Sequence, residues 1–239
     1  MKIVEKFKAK LNDRLDAPVT IGFLGDSVTQ GCFELYQKEP GKLATVFDKN
    51  SVYHNCIYKI FSVLYPAVPV NIINGGVSGT GATNGLSRLE RDVLSHNPDL
   101  IVVCFGLNDC RNGLEGIESY KNALAEIFDK IAQAGKETIF MTPNMLNTGI
   151  SPHITNEMIL DNAKELMDIQ NSGVMDEYMK AAKEVSAEKG VKVCDCYEKW
   201  KQLYNCGANV TELLSNKVNH PIREMHWLFA YMLVDTMLS

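Results

Sequence analysis

Residues 19–28 read Val-Thr-Ile-Gly-Phe-Leu-Gly-Asp-Ser-Val, an apolar run that stops abruptly at Gly-Asp-Ser. A short apolar run of this kind predicts a strand covered on both faces, as in a parallel α/β sheet. Such a sheet places its reacting groups at the carboxyl ends of its strands. Ser27 is therefore predicted to lie at a strand tip, although Gly-Asp-Ser alone could be only a turn with an N-capping serine.

Four further apolar runs follow this one and alternate with segments of helical periodicity. The predicted strands are 19–24, 69–74, 99–105, 137–142 and 191–196, and the predicted helices are about 51–65, 82–96, 118–134, 173–189 and 224–238. This alternation implies a parallel sheet with right-handed crossovers, within one α/β domain over 1–239. Two stretches after strand ends, about 31–50 and 143–172, are predicted to be irregular and could form the walls of a site.

Composition sets limits on partners and location. The 239 residues are 46% hydrophobic and 22% charged, with a net charge of −5, which argues mildly against nonspecific nucleic-acid binding. No segment is apolar enough to span a bilayer, and residues 1–11 alternate charged with apolar side chains, unlike a secretory signal. We therefore expect a cytoplasmic protein without nucleic-acid or membrane partners.

The seven cysteines are irregularly spaced and include no pair of CxxC motifs, so no structural zinc site is expected. Reduced and mostly buried thiols are predicted.

Two segments at later strand ends offer hydrogen-bond donors. Residues 74–81, Asn-Gly-Gly-Val-Ser-Gly-Thr-Gly, could present backbone N–H groups to an oxyanion or to a phosphate. The segment lacks Gly-Lys-Ser/Thr and the dinucleotide spacing GxGxxG, which disfavours phosphate. In Gly106-Leu107-Asn108-Asp109, the amide of Asn108 could donate to an oxyanion or form an Asx turn.

A histidine that could serve as a base lies near the C-terminus. In Asn219-His220-Pro221, the proline biases the preceding residue toward an extended conformation and stiffens the loop. His220 is thereby suited to act as a general base toward a serine. The other histidines are His54, His96 and His226, which fall on helical patterns and are expected in packing or at the surface, and His153, which could line the site.

Together these segments resemble a known family. Gly25-Asp26-Ser27-Val28, Gly79, Gly106-Leu107-Asn108-Asp109 and Asn219-His220-Pro221 resemble, in order and spacing, the four blocks of the SGNH hydrolase superfamily, also called GDSL-like esterases and lipases. The stretch 74–109, including Gly85-Leu86-Ser87-Arg88-Leu89, is especially similar.

The resemblance implies a flavodoxin-like three-layer α/β/α fold with about five parallel strands. It implies Ser27 as nucleophile, His220 as base, and an oxyanion hole made of the Ser27 and Gly79 N–H groups and the Asn108 amide. It implies no metal and no organic cofactor. Members cleave esters or thioesters, many of them acetyl groups on carbohydrates, so a carboxylic ester hydrolase acting on a small-molecule ester is expected.

One position departs from the family pattern. The family usually places an aspartate three residues before the histidine, where this chain has Lys217. Three explanations are open: a backbone carbonyl or the Asn216 side chain accepts the His220 N–H, a carboxylate from elsewhere substitutes, or the protein is a noncatalytic relative.

The predicted function is hydrolysis of short acyl esters, first of all acetyl groups on sugars, through an acyl-enzyme on Ser27. The alternatives are a thioesterase or lysophospholipase acting on longer chains, and a noncatalytic carbohydrate-binding relative. Candidate wall residues of the site are Phe33, Tyr36, Asn144 and His153.

Overall fold

A five-stranded parallel sheet forms the centre of the protein in the computed structural model, which describes residues 1–239. The strands of the chain are β1 (Val19–Gly25), β2 (Cys32–Glu39), β3 (Lys42–Phe47), β4 (Val70–Gly76), β5 (Leu100–Cys104), β6 (Glu137–Met141) and β7 (Lys192–Cys194). Strands β2 and β3 form a separate antiparallel hairpin, and the other five are ordered β4-β1-β5-β6-β7. Counted among themselves, these five have the flavodoxin-like order 2-1-3-4-5, as the resemblance implied.

Helices cover both faces of this sheet. They are α1 (Lys2–Asn12), α2 (Ser27–Gln30), α3 (Tyr53–Leu64), α4 (Ala82–Asp92), α5 (Ile117–Gln133), α6 (Glu157–Asn171), α7 (Val174–Glu188), α8 (Cys196–Asn205) and α9 (Arg223–Leu238). Helices α4, α5 and α7 pack in one layer, and α1, α3 and α9 pack in the other. The three-layer α/β/α prediction is therefore confirmed. None of the helices combines the length and hydrophobicity that crossing a bilayer would require.

The core follows the hydrophobic periodicity of the sequence. Strand β5 is buried along its whole length, as an unbroken apolar run between two helical layers should be. Helix α5 buries Tyr120, Leu124, Ile127 and Ile131, whose spacing of three or four residues places them on one face. This packing fixes the strand ends from which the site is built.

All five predicted strands and all five predicted helices are present, with shifted ends. The prediction of two irregular stretches is wrong: 31–50 contains the β2–β3 hairpin, and 143–172 contains α6. The sequence did not predict the hairpin because much of it is exposed, so no continuous apolar run marks its strands. Helices α1 and α8 were not predicted.

Cys194 and Cys196 lie on either side of a turn. Strand β7 ends at Cys194 and α8 begins at Cys196, because Asp195 turns the chain and caps the helix by accepting the N–H of Glu198 at 3.2 Å. The two Sγ atoms consequently lie 3.7 Å apart. As expected, all seven cysteines are free, and only Cys206 is exposed.

The carboxyl ends of β1, β4 and β5 lie side by side. Gly25 pairs in register with Gly76 on one side and with Cys104 on the other. A side chain at Gly76 would overlap the backbone of Thr29 and Gln30 in α2, so only glycine permits this close approach of β4 to α2. The strand order reverses between β1 and β5, the place where open α/β sheets bind ligands.

Candidate active site

Ser27 and His220 meet at this edge of the sheet. The Ser27 Oγ lies 3.0 Å from the His220 Nε2, and the two residues are only 3% and 5% exposed. Ser27 is the first residue of α2, which Asp26 caps by accepting the Val28 N–H at 2.9 Å. Since the N–H of a first helical residue has no partner within its helix, the Ser27 N–H can serve as a donor.

The second ring nitrogen of His220 lies 2.8 Å from the carbonyl oxygen of Phe33. A carbonyl oxygen only accepts, so Nδ1 must carry the ring proton. Nε2 then presents its lone pair to the Ser27 hydroxyl, the arrangement needed for removing the hydroxyl proton. Of the explanations that the sequence left open, the contact present is the one with a backbone carbonyl.

Asn216 holds the backbone of the histidine loop rather than the imidazole. Its Oδ1 accepts the N–H groups of residues 218–220 at 3.0, 2.9 and 2.9 Å. Lys217, at the position of the family's usual aspartate, has a φ of 61° and directs its ammonium to Glu212 at 2.8 Å. The loop is therefore fixed by an asparagine, and the lysine is engaged elsewhere.

Gly79 and Asn108 lie on the loops that follow β4 and β5. Gly79 has a φ of 74°, in the left-handed region that favours glycine, with open space where a side chain would begin. The Asn108 Nδ2 donates to the Thr80 carbonyl at 3.0 Å, which holds the amide against the Gly79 loop. Its second N–H stays available to another acceptor. This hydrogen bond of the amide links the two loops, and the Asn108 side chain makes no capping bond to its own turn.

Burial sets the protonation states around Ser27. Desolvation lowers the pKa of His220 to about 4, against the bond to Phe33 and the charge of Glu34, which both raise it. The imidazole is therefore neutral at physiological pH, the form that accepts a proton. Burial also raises the pKa of Asp26 to about 7, against the opposing effect of the Val28 N–H.

Arg88 joins two of the strand ends and was not predicted as a site residue. Its guanidinium donates to the carbonyl of Gly25 at 2.7 Å, to the carbonyl of Gly75, and to Asp92 at 3.2 Å. It is only 7% exposed. Because Gly25 directly precedes the Asp-Ser turn, this buried cation steadies the segment that presents Ser27.

The remaining histidines lie where the sequence predicted. His54 is in α3 and His226 in α9, both buried, and the His226 Nδ1 accepts the Tyr53 N–H at 3.1 Å. His96 is exposed in a short 3-10 helix. None of these three side chains forms a hydrogen bond with Ser27.

A cavity of about 490 Å³ borders the histidine loop. Residues 34–37 of β2, residues 153–156 with Ile159, and residues 215–217 line it. Its polar side chains are those of Glu34, Tyr36, Gln37, His153, Thr155, Asn156, Ser215, Asn216 and Lys217. Two predicted wall residues, Tyr36 and His153, are thus on this cavity.

The other two predicted wall residues, Phe33 and Asn144, contact the histidine loop instead. Phe33 does so through its carbonyl, and the Asn144 Nδ2 donates to the Asn219 carbonyl at 2.9 Å. No group of three or more His, Cys, Asp or Glu side chains is arranged to hold a metal ion.

A sequence model of the GDSL-like lipase/acylhydrolase family matches residues 23–228. This span runs from within β1 into α9 and includes Ser27, Gly79, Asn108 and His220.

Two sequence relatives are esterases by name. An acetylxylan esterase from Geobacillus stearothermophilus is 26% identical over 87 residues, which are 36% of this chain and 38% of that protein. An arylesterase from Vibrio mimicus is 34% identical over 74 residues, which are 30% of this chain and 36% of that protein. The chain thus aligns with well under half the length of either relative.

Solved structures share the fold over nearly the whole chain. The acetylxylan esterase of Geobacillus stearothermophilus matches with a TM-score of 0.68 at 17% identity, covering 94% of this chain and 96% of that one. An α/β hydrolase from the Lake Arreo metagenome matches with a TM-score of 0.68 at 19% identity, covering 93% and 96%. At these identities the likeness establishes the fold alone.

Proposed function

This chain belongs to the GDSL-like lipase/acylhydrolase family, and we propose that it is a serine esterase that removes short acyl groups, first of all acetyl, from a polar alcohol such as a sugar. The observation that carries the proposal is the alignment of Ser27, His220 and the Phe33 carbonyl. The hydroxyl lies 3.0 Å from Nε2, and the opposite nitrogen donates to the carbonyl at 2.8 Å. A neutral serine needs such a base to become a nucleophile.

In the first half of the reaction, the Ser27 Oγ attacks the ester carbonyl carbon while His220 Nε2 takes the hydroxyl proton. The carbonyl oxygen becomes an oxyanion that accepts hydrogen bonds from the N–H groups of Ser27 and Gly79 and from the Asn108 amide. The imidazolium then gives its proton to the leaving alcohol oxygen as the C–O bond breaks. Ser27 is left as an acyl ester.

In the second half, water attacks the acyl-enzyme at the same carbonyl carbon. His220 removes a proton from the water, and the same three donors hold the second oxyanion. The Ser27–acyl bond breaks and Oγ recovers its proton from His220. The carboxylic acid is released, and the residues return to their starting protonation states.

The Phe33 carbonyl fixes the tautomer and orientation of His220, as the aspartate of a triad would. A neutral carbonyl supplies a partial negative charge, so it stabilises the imidazolium less than a carboxylate does. The low pKa of His220 is consistent with this weak stabilisation of the imidazolium, because both favour the neutral imidazole.

Burial and polarity support the choice of substrate class. Ser27 is only 3% exposed, and this near-complete burial favours a small acyl group such as acetyl over a long chain. The cavity beside the histidine loop carries hydroxyl, amide and charged side chains, which suit a hydroxylated alcohol part. The acetylxylan esterase that shares the fold is consistent with this class.

The test is hydrolysis of p-nitrophenyl acetate by the whole protein and by Ser27→Ala. We expect turnover by the native protein and its loss in the variant. Ser62→Ala is the matched control, since the Ser62 hydroxyl is exposed and bonds only the Tyr58 carbonyl of its own helix, at 2.8 Å. Unchanged hydrolysis by Ser27→Ala would contradict the proposal.

Acyl length is tested separately, with acetyl and decanoyl esters of the same alcohol. The near-complete burial of Ser27 predicts a higher kcat/KM for the acetyl ester. A preference for the decanoyl ester would indicate an esterase or thioesterase for long chains. Sugar binding without any acyl release would indicate a noncatalytic carbohydrate-binding protein.

A further inference from the structure

The Phe33 carbonyl owes its direction to an irregularity in the hairpin. Cys32 pairs with Phe47 and Leu35 pairs with Thr45, so two residues of β2, Phe33 and Glu34, stand opposite one residue of β3. Such a bulge takes a residue out of the regular ladder and re-aims its groups. The carbonyl that contacts His220 is therefore not held in place by regular strand pairing.

Arg223 contacts both residues of this bulge. Its guanidinium donates to both Glu34 carboxylate oxygens at 2.5 and 3.1 Å, and its Nε donates to Asp48 at 2.9 Å. The guanidinium carbon also lies 4.3 Å from the centre of the Phe33 ring. One side chain thus contacts both bulge residues and the residue that follows β3.

The contacts of Arg223 with Phe33, Glu34 and Asp48 form a clamp, and the segments at both ends of this clamp are fixed in place. The Asp48 N–H donates to the Gly31 carbonyl at 2.9 Å, which ties together the two ends of the hairpin. Arg223 opens α9, three residues after His220. The same side chain therefore connects the segment that carries the imidazole to the segment that carries its acceptor.

From this geometry we infer that Arg223 is a positioning residue, which holds the Phe33 carbonyl in hydrogen-bond reach of His220 Nδ1 through its bonds to Glu34 and Asp48. The inference rests on the proposed esterase function. Arg223 does not touch the reacting atoms. It does for this histidine, through the hairpin, what a directly bonded aspartate does in a triad.

Arginine suits this task better than lysine. The planar fork makes two parallel bonds to one carboxylate, keeps a third N–H for Asp48, and stacks on an aromatic ring. Lysine keeps the charge but offers a single ammonium that cannot satisfy this geometry. A structural ion pair would tolerate Arg223→Lys, whereas a positioning device would not.

The experiment measures kcat and KM on p-nitrophenyl acetate for native protein, Arg223→Met and Arg223→Lys. Since small misplacements of reacting groups cost on the order of 10²-fold, we expect kcat to fall about 10- to 100-fold in Arg223→Met and about 3- to 10-fold in Arg223→Lys, with KM changed by less than about threefold. Lys189→Met is the matched control, because Lys189 makes a comparably exposed ion pair with Asp129, at 2.6 Å, away from the site.

A second readout follows the hydrogen bond itself. In ¹⁵N-histidine-labelled native protein, the His220 Hδ1 should give a downfield, exchange-protected proton signal that is missing in His220→Gln. We expect this signal to be lost or broadened in Arg223→Met. The unfolding temperature of that variant should fall by no more than about 4 °C, because exposed ion pairs contribute little to stability.

Several results would overturn the inference. They are a kcat in Arg223→Met within about twofold of Lys189→Met, a lower kcat with an unchanged Hδ1 signal, and a native protein without a protected Hδ1. If Arg223→Met does not fold, native kcat and an unchanged signal in Arg223→Lys would overturn it. The Hδ1 readout needs no turnover, so it tests the clamp even if the native protein hydrolyses no ester and the proposed function fails.

Discussion

His220 should remain a working base well below the pH at which an ordinary histidine is protonated. Burial lowers its pKa from 6.5 to about 4. At about pH 5.5, a histidine of ordinary pKa is only about one-tenth neutral, whereas one with a pKa of about 4 is more than about nine-tenths neutral. The kcat/KM for a non-ionising ester should therefore be nearly equal at about pH 7.5 and pH 5.5. An unperturbed histidine would lose about tenfold over the same interval.

The assay uses p-nitrophenyl acetate, with hydrolysis followed at a wavelength insensitive to the ionisation of the product. Circular dichroism at each pH checks the fold, because His54, His220 and His226 all have pKa values lowered by burial. Depressed histidine pKa values contribute stability that is present above the unfolded-state pKa and is lost as pH falls through the folded-state value. Measurements therefore stay above about pH 5.

Asp26 gains a proton across the same interval, so the profile is measured again in Asp26→Asn. A tenfold fall between about pH 7.5 and 5.5, with the fold intact and the same in both proteins, would refute the reasoning. It would mean that His220 is solvated and charges at an ordinary pH.

Three further predictions concern the groups around this pair. Asn108→Ala should lower kcat by about 10²- to 10³-fold with little change in KM, since it removes one oxyanion donor. The control Asn112→Ala, at the end of the 3-10 helix Asp109–Asn112 that follows Asn108, should keep kcat, and an equal loss there would point to a folding defect. Asp26 has a pKa raised by burial to about 7, so its native state retains a proton that the unfolded chain loses above about 3.8. The free energy of unfolding, measured by urea denaturation relative to Asp26→Asn, should therefore fall as pH rises from about 4 to about 7, by roughly 4 kcal/mol at about 1.4 kcal/mol per pKa unit; a flat difference would contradict this. Asn216→Ala leaves buried N–H groups of the His220 loop without their acceptor, so urea denaturation should show a loss of about 2–3 kcal/mol. Asn216→Asp, which keeps an accepting oxygen, should lose less, and equal losses would argue against the role of that oxygen.

The sequence predicted the parts of the site that lie directly after strands of the main sheet. An apolar run marks each such strand, and parallel strands bring their carboxyl ends to one edge, so the neighbourhood of Ser27, Gly79 and Asn108 follows from chain order. The prediction for His220 followed from the family-like motif and from the stiffness that Pro221 gives its loop.

The acceptor for His220 could not be predicted in the same way. A backbone carbonyl has no residue signature, and any residue at position 33 would supply one. Its placement depends on a bulge in a hairpin that stands apart from the main sheet, where hydrophobic periodicity is weak. The Pro40-Gly41 pair was a usable turn signal that could have revealed the hairpin.

Helix α6 carried a signal that went unused. Asn156 accepts the N–H groups of Met158 and Ile159 at its start, and Ala163 and Leu166 follow at helical spacing on the buried face. The residues before Asn156 have a polar composition typical of a loop, so the helix that follows them was not predicted. Arg88 and Arg223 were missed for another reason: an arginine reads as a surface residue until its acceptors are known.

Active-site labelling tests the central claim most directly. Native protein and Ser27→Ala are treated with a fluorophosphonate, which reacts with an activated serine, and the adduct is located by peptide mass spectrometry alongside p-nitrophenyl acetate turnover. We predict one adduct per chain, on Ser27, with turnover lost in step with labelling and neither adduct nor turnover in Ser27→Ala. An adduct on another residue, or native-like turnover in Ser27→Ala, would contradict the assignment of Ser27 as the nucleophile.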